Sequence, residues 1–420
     1  MVESSACTDC SSSTSSSRCR ARRLNRDGRA SEVDFSADTD LDLIREGIGA
    51  ICTKFDDDYW AERDRRHEFP WDFYRALADG GWIGIAIPEA YGGSGRGLLE
   101  ASVILQEVAA SGAAMNGCSA IHLSIFGMHP LILHGSEDIK QRYLPRVASG
   151  ELHVAFGVTE PDAGTETLAI KTRAVRDGDS YVIRGQKVWT SKAQDADRVL
   201  LLARTTPVEQ CKRRTDGLTL FMVDLHDPAV TITPIAKAGR NAVSSCETVY
   251  NDVVVSVDDR VGEQDKGFYY LLDGLNAERV LIASEAIGTG QAALRRAVGY
   301  ANQRVVYGRP IGQNQGVAFP LAEAHARLEA AELITRRAGW MLDRGLPSGA
   351  EANMAKLLGA DAGFQAADTA MQVHGGFGYA EEYHIARYWR EARLMKIAPI
   401  PQELILAYIS QHVLGLPKSY

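Results

Sequence analysis

Apolar positions along this chain keep one repeat, abandon it for another, and then return to the first. Near the start, Ile44, Ile48, Ile51 and Phe55 recur at spacings of four, three and four, the stripe of a helix with one buried face. The stretch GWIGIAIPEAYGGSGRG reads as a short buried segment running into a glycine-rich loop, and residues 98–150 resume helical spacing. Residues 153–262 change character, with runs rich in Val, Ile, Thr and Tyr: LAIKTRAV, YVIRGQKVWT, RVLLLART, LTLFMVDL and CETVYNDVVV. These runs, with a turn signal at Asp177-Gly178, predict an antiparallel β domain with enough strands for a small barrel or sandwich. Past residue 265 the repeat is helical, with Leu321, Ala324, Leu328, Ala331, Ala338 and Leu342 on one stripe, and several such segments imply a bundle. The order predicts an α+β fold: a tail over 1–35, an N-terminal helical domain over 36–152, a middle β domain over 153–264 and a C-terminal helical bundle over 265–420.

Composition narrows the function classes. A chain of 420 residues, 45% hydrophobic and 24% charged, can bury a sizeable core. A net charge of -8 offers no basic footprint for nucleic acid, and no apolar run reaches the ~18 residues of a membrane span. Seven cysteines, an odd number scattered over a long chain, suit a reducing compartment. Cys7 and Cys10 form a CxxC with Cys19 nearby, but no second pair follows at zinc spacing, so no metal is expected. A GxGxxG fingerprint is absent from the glycine-rich loop, which removes a Rossmann site. Residues 1–31 are rich in Ser and Arg, without the apolar stretch of a secretory signal. They are expected to be a disordered tail on a cytoplasmic protein. The rival is a mitochondrial transit peptide and a matrix location, against which Glu3 and Asp9 count.

Three stretches invite a chemical reading. LDGLNAERVLIAS, residues 271–283, sets Glu278 and Arg279 at the head of an apolar run; they are either charges at a helix end or groups with a chemical task. FGVTEPDAGTETLAIKTRA, residues 156–174, begins as a strand and breaks at Pro161 into small polar residues whose N–H groups can face an anion or a polar ring edge. KVWTSKAQDAD supplies Trp189, flanked by the hydroxyls of Thr190 and Ser191; a strand tryptophan is more often core than a ligand plate.

In this order and spacing, joined by RVVYGRPIGQNQ (304–315) and MQVHGGFGY (371–379), these stretches resemble the acyl-CoA dehydrogenase family over roughly residues 40–415. The last two look like its R-x-x-[FY]-G-x-P-I and Q-x-x-G-G-x-G-[FY] segments. The resemblance implies FAD as cofactor. Phe156, Val158, Thr159, Gly164 and Thr165 would line the flavin and the thioester end of the substrate, with Trp189 against the ring and Ser191 at its reactive edge. Arg304, Gln315, Gln372, Gly375 and Gly376 would hold the pyrophosphate and adenine of an FAD belonging to a neighbouring subunit, which implies a homotetramer or at least a dimer. Gln402 would join the cofactor-binding set, and His374 is read as a packing residue.

The family dehydrogenates an acyl-CoA thioester between Cα and Cβ: a carboxylate takes the α-proton while the β-hydrogen leaves as hydride to the flavin. Many members carry that carboxylate in a C-terminal Y-E-G-T segment, which aligns here with APIPQEL and places Pro399 on its position. A smaller group, including the isovaleryl-CoA and long-chain enzymes, carries it in a segment resembling L-x-x-E-R. LNAERV matches, so the resemblance makes Glu278 the base and Arg279 a structural or substrate-side neighbour. Glu403 is the competing carboxylate, expected at a helix end. The family's thioester oxygen accepts a backbone N–H at the position of Pro399, which has none. Electrons would pass to an electron-transfer flavoprotein; the alternative is a flavin oxidase or monooxygenase on the same fold. A flavin-free scaffold would not need the FAD motifs.

Overall fold

A computed structural model of the protein describes residues 39–418; the tail expected over 1–35 lies outside them. Seven helices come first: α1 (Thr39–Cys52), α2 (Asp57–Arg66), α3 (Trp71–Asp79), α4 (Leu98–Val108), α5 (Ala114–Ile125), α6 (His129–His134) and α7 (Glu137–Ala148). The α1 stripe read from the sequence points inward, with Leu41, Ile44 and Ile48 buried, and packs in a core with Trp60, Phe73, Leu77, Ile104 and Ile121. Residues 98–134 are long and apolar enough to cross a membrane, but 72% of their most apolar window is buried inside the fold. They are also broken between α4 and α5, where a π turn over Ala109–Ala113 contains Gly112 at φ 113°, a left-handed conformation that glycine adopts without a Cβ clash.

The sheet that follows comprises β1 (Val154–Gly157), β2 (Arg173–Asp177), β3 (Ser180–Ser191), β4 (Arg198–Arg204), β5 (Leu218–Asp224), β6 (Val230–Pro234), β7 (Ser245–Ser256) and β8 (Arg260–Val261), in the order β6-β7-β3-β2-β4-β5-β8 with β1 on β4. It is mixed, not purely antiparallel as the sequence suggests, because β1 runs parallel to β4 and β2 meets β4 in one parallel pair. The chain reaches β1 from a helix and not through a hairpin, so nothing imposes the antiparallel sense there. β4 explains its own sequence: Leu200 and Leu202 enter a core shared with α6 and α7, while Val199, Leu201 and Ala203 enter a second core on the opposite face. A strand covered on both faces reads as a continuous apolar run.

The last part is helical. It contains α8 (Gly267–Gln303), the short hairpin β9 (Val305–Val306) and β10 (Arg309–Pro310), then α9 (Gln315–Asp343), α10 (Gly349–His374), α11 (Ile385–Leu394) and α12 (Gln402–Tyr408). The α9 stripe predicted from the sequence is buried at Leu321, Ala324, Leu328, Ala331 and Ala338. α8, with 37 residues, is about 55 Å long. Small residues let its neighbours approach closely: a Cβ on Gly288 would lie 2.3 Å from the Gln106 carbonyl oxygen of α4, and one on Gly363 of α10 would lie 2.2 Å from that of Ala286.

Candidate active site

α8 begins at Gly267, so Glu278 stands three turns inside the helix, with no acidic residue in the first turn. The helix-end reading of Glu278 therefore fails, since the dipole acts within the terminal turn. Its side chain is 21% exposed, and its Oε2 accepts a 2.7 Å bond from Nε2 of His122 on α5. Nδ1 of the same ring donates at 2.6 Å to Oε1 of Glu285, seven residues and two turns along α8 on the same face. Burial works against a charged His122 ring, yet the two carboxylates outweigh it and hold the imidazole well above its ordinary pKa. Among the described residues no group of three or more His, Cys, Asp or Glu is arranged to hold a metal.

The helix that presents His122 is itself pinned at its start. Fully buried Glu391 of α11 accepts from the backbone N–H groups of Met115 (2.6 Å) and Asn116 (3.2 Å), taking donors that a helix N-terminus leaves without partners. Asn116 in turn accepts from the Ala242 N–H, and Asp64 accepts from that of Asn241. These bonds fix the loop carrying Arg240, whose guanidinium donates to the hydroxyls of Ser119, Ser191 and Ser245. Burial lowers the Arg240 pKa, while the nearby charges of Glu285 and Glu391 oppose the shift.

Next to this cluster stand the β-domain residues picked out in the sequence. Phe156 in β1 and Val158 and Thr159 in the turn after it are half-buried, and that turn is anchored to β3. The Thr159 carbonyl accepts the Val188 N–H at 2.9 Å, and the Lys187 ammonium donates to the Val158 carbonyl (2.9 Å) and to the Glu160 carboxylate (2.8 Å). Burial raises the Glu160 pKa, but Lys187 and the Lys171 and Thr172 donors together hold it below the usual range. Burial pulls Lys187 down to about 8.

Immediately after Lys187 the register of β3 against β7 shifts, and Trp189 adopts φ 62° and is 56% exposed. The core reading of this tryptophan is thus overturned, because the bulge turns the indole out of the sheet. Gly164 and Thr165 are exposed in the turn. A Cβ on Gly164 would meet nothing within 4 Å, so packing inside the chain does not require glycine there.

The second predicted group lies elsewhere. Arg304 follows the last residue of α8 and places its guanidinium over the Phe377 ring, 5.7 Å from the centroid. Gln315 begins α9, Gln372 lies in the last turn of α10, and the Arg304, Gln315 and Gln372 side chains are polar and exposed. Gly375 closes α10 at φ 59°, while Gly376 has open space around its Cβ position. Glu278 lies 26 residues before Arg304, about 39 Å along the axis of α8. His374 is a packing residue, as expected: Nδ1 donates to the Ala370 carbonyl and the ring stacks on Tyr300.

The remaining candidates resolve as follows. Arg279 is half-buried and donates through one guanidinium nitrogen to Asn276 at 2.6 Å, while its buried Nε has no partner. Gln402 opens α12 with its amide donating to Asp361 at 2.7 Å. Glu403, beside it, is exposed in the first turn of α12, the helix-end position expected of it. Pro399 is exposed in the turn before α12. His122, Glu285 and Arg240 were not singled out in the sequence. The signal for the first two was a polar ionisable residue inside an apolar helical stretch, CSAIHLSIF and VLIASEAIG, and it becomes specific only once α5 and α8 are packed together.

Helices before and after a mixed sheet, with a half-buried carboxylate on the longest helix and an outward-turned indole on the sheet, are the arrangement that the resemblance read from the sequence implies. Models of the acyl-CoA dehydrogenase N-terminal, middle and C-terminal domains match residues 38–151, 155–253 and 265–414. The chain belongs to the acyl-CoA dehydrogenase family, FAD-dependent oxidoreductases. It is 36% identical over 394 residues to the acyl-CoA dehydrogenase FadE12 of Mycobacterium bovis, covering 93% of this chain and 100% of that one. Among solved structures it is similar to a glutaryl-coenzyme A dehydrogenase in complex with glutaryl-CoA (TM-score 0.87, 28% identity, 92% of this chain and 98% of that). It is also similar to a prolyl acyl carrier protein oxidase (TM-score 0.85, 27% identity, 91% and 100%).

Proposed function

We propose that this enzyme converts an acyl-CoA thioester to the trans-2-enoyl-CoA, with Glu278 taking the α-proton, and passes electrons to an electron-transfer flavoprotein. The observation that carries the reading is the place of Glu278: mid-helix, half-buried, and hydrogen-bonded through Oε2, which leaves Oε1 to accept a proton. Such a carboxylate serves no helix end, and a general base needs an accepting oxygen within reach of the substrate. FAD, when bound, supplies the acceptor for the β-hydride. Phe156, Val158, Thr159, Gly164, Thr165, Trp189 and Ser191 would hold its ring end. Arg304, Gln315, Gln372, Gly375 and Gly376 would hold the pyrophosphate and adenine of a neighbouring subunit's cofactor, with Gln402 nearby. Two features support the fit. Gly164 and Gly376 have open space where a Cβ would project, which suits close approach by a group from outside the chain. The hairpin beside Arg304 exposes Val305, Val306 and Tyr307, with Phe377 and Tyr379 close in sequence to the Gly375 turn, an apolar surface suited to a partner subunit in a tetramer.

On the substrate side, Arg279 offers the unpartnered Nε, and Pro399 cannot offer a backbone N–H. The thioester oxygen therefore takes its hydrogen bond from another donor. The test is anaerobic mixing of the FAD-loaded enzyme with butyryl-, octanoyl-, isovaleryl- and 3-phenylpropionyl-CoA, following loss of oxidised-flavin absorbance. Bleaching by at least one thioester, with negligible oxygen consumption in aerobic turnover, is expected. Rapid oxygen consumption would assign the oxidase reading instead.

A further inference from the structure

Resting on Glu278 as the base, we infer that His122, fixed by Glu285, is a positioning residue that keeps the Glu278 carboxylate ionised and aimed before the α-proton arrives. A buried histidine whose role is packing satisfies its ring as His374 does, with one backbone carbonyl. His122 does otherwise. Both of its nitrogens face carboxylate oxygens, at 2.7 and 2.6 Å, and a ring that donates at both nitrogens carries two protons and a positive charge.

The arrangement answers a difficulty built into the site. Desolvation pushes a carboxylate toward its protonated form, in which it cannot act as a base. A cation in direct contact reverses that tendency. Glu285, fully buried, supplies through Oε1 the opposite charge that makes the imidazolium affordable in the interior, and its Oε2 has no hydrogen-bond partner. Because His122 holds Oε2 of Glu278 from the α5 side, Oε1 remains the accepting oxygen.

Other charged and titratable groups face the cluster from every neighbouring element. Arg240, from the loop before β7, is close enough to Glu285 and Glu391 for both to favour its cation. Buried Cys118, on α5, lies within the field of Glu285. On α8, Arg279 adjoins Glu278 and also senses Tyr408 of α12. None of them is hydrogen-bonded to Glu278; His122 is.

Two measurements test this. In the first, the rate of anaerobic flavin reduction by the fastest thioester of the four above is followed against pH in the FAD-loaded enzyme and in His122→Gln and Glu285→Gln. Removing the cation, or the carboxylate that sustains it, is expected to move the acid limb upward by about 1 to 3 pH units, with a smaller effect on the alkaline plateau and on KM. In the second, ¹⁵N-histidine NMR of the resting protein is recorded without substrate. The chain has ten histidines, and the signal missing from His122→Gln identifies the ring. It is expected to be doubly protonated through neutral pH and to become neutral in Glu285→Gln, which serves if His122→Gln does not fold.

A neutral His122 in the wild type, or uniformly depressed rates with an unmoved acid limb, would overturn the inference while leaving Glu278 as base. Unimpaired flavin reduction in Glu278→Gln would overturn both.

Discussion

At the scale of single residues, Glu278 and Glu403 separate by environment, one half-buried in mid-helix and the other exposed in a first turn. Glu278→Gln keeps shape and hydrogen-bonding capacity but cannot take the α-proton. It is expected to fold, retain FAD and bind acyl-CoA while flavin reduction slows by ~10²- to 10⁴-fold, measured by rapid anaerobic mixing. Glu403→Gln is expected to reduce its flavin at nearly the wild-type rate. A dead Glu403→Gln beside a normal Glu278→Gln would move the base to the C-terminal segment. A different residue governs stability against pH. Burial pulls Lys192 down to about 7, against the pull of Asp195 and Asp197, while its ammonium donates to Ser124 at 3.0 Å. The folded pKa lies below the unfolded one, so the unfolded chain binds more protons between about pH 7 and 10.4, and this group's contribution to stability rises with pH across that window. The stability of Lys192→Met relative to wild type is therefore expected to be greatest below pH 7 and to decline as pH rises through the window, as read from paired urea midpoints. A difference that stays flat with pH would show that Lys192 is not the titrating group.

At the scale of elements, the contact of α8 with α10 rests on glycine and alanine. Gly363→Ala places a methyl group 2.2 Å from the Ala286 carbonyl oxygen, and the helices must part to admit it. A loss of about 1 to 3 kcal/mol is expected from urea denaturation. Gly49→Ala in α1, where nothing lies within 4 Å, should instead gain about 0.5 to 1 kcal/mol from helix propensity. If both changes were neutral, the close helix crossing would be wrong. The elements themselves were largely legible: the stripes of α1 and α9 and the run of β4 appear in the sequence with the periods that burial imposes. The π turn at Ala109–Ala113 was not, since AASGA carries no breaker strong enough to announce it. The parallel pairing of β1 with β4 was also hidden, because local pattern fixes which face is buried and not the direction of a distant neighbour. At the proposed site, Glu278 and Trp189 were picked out through motifs. His122 and Glu285 were missed because their meaning lies in a contact between residues 163 positions apart.

At the scale of the whole molecule, Arg304 and Glu278 stand at opposite ends of the stretch spanned by the later part of α8, and the proposed function assigns them to the cofactors of different subunits. Arg304→Ala would remove the proposed charge-assisted contact, worth about 1.5 to 3 kcal/mol, and FAD retention is expected to fall roughly ten- to a hundredfold, measured by equilibrium dialysis. Tight stoichiometric FAD in that variant, or an active monomeric wild type by light scattering, would count against a shared site. The outward turn of Trp189 has a further, optical consequence. Of the chain's six tryptophans it is the most exposed, so its indole emits from a watery setting while the others are shielded to varying degrees. A yellow chromophore seated against it would drain that emission by energy transfer, and the quenched light would vanish from the red side of the band. The protein thus carries its own lamp at the ring end of the proposed cofactor site: titrating FAD into the stripped enzyme reads occupancy directly, and Trp189→Phe should remove that quenched component.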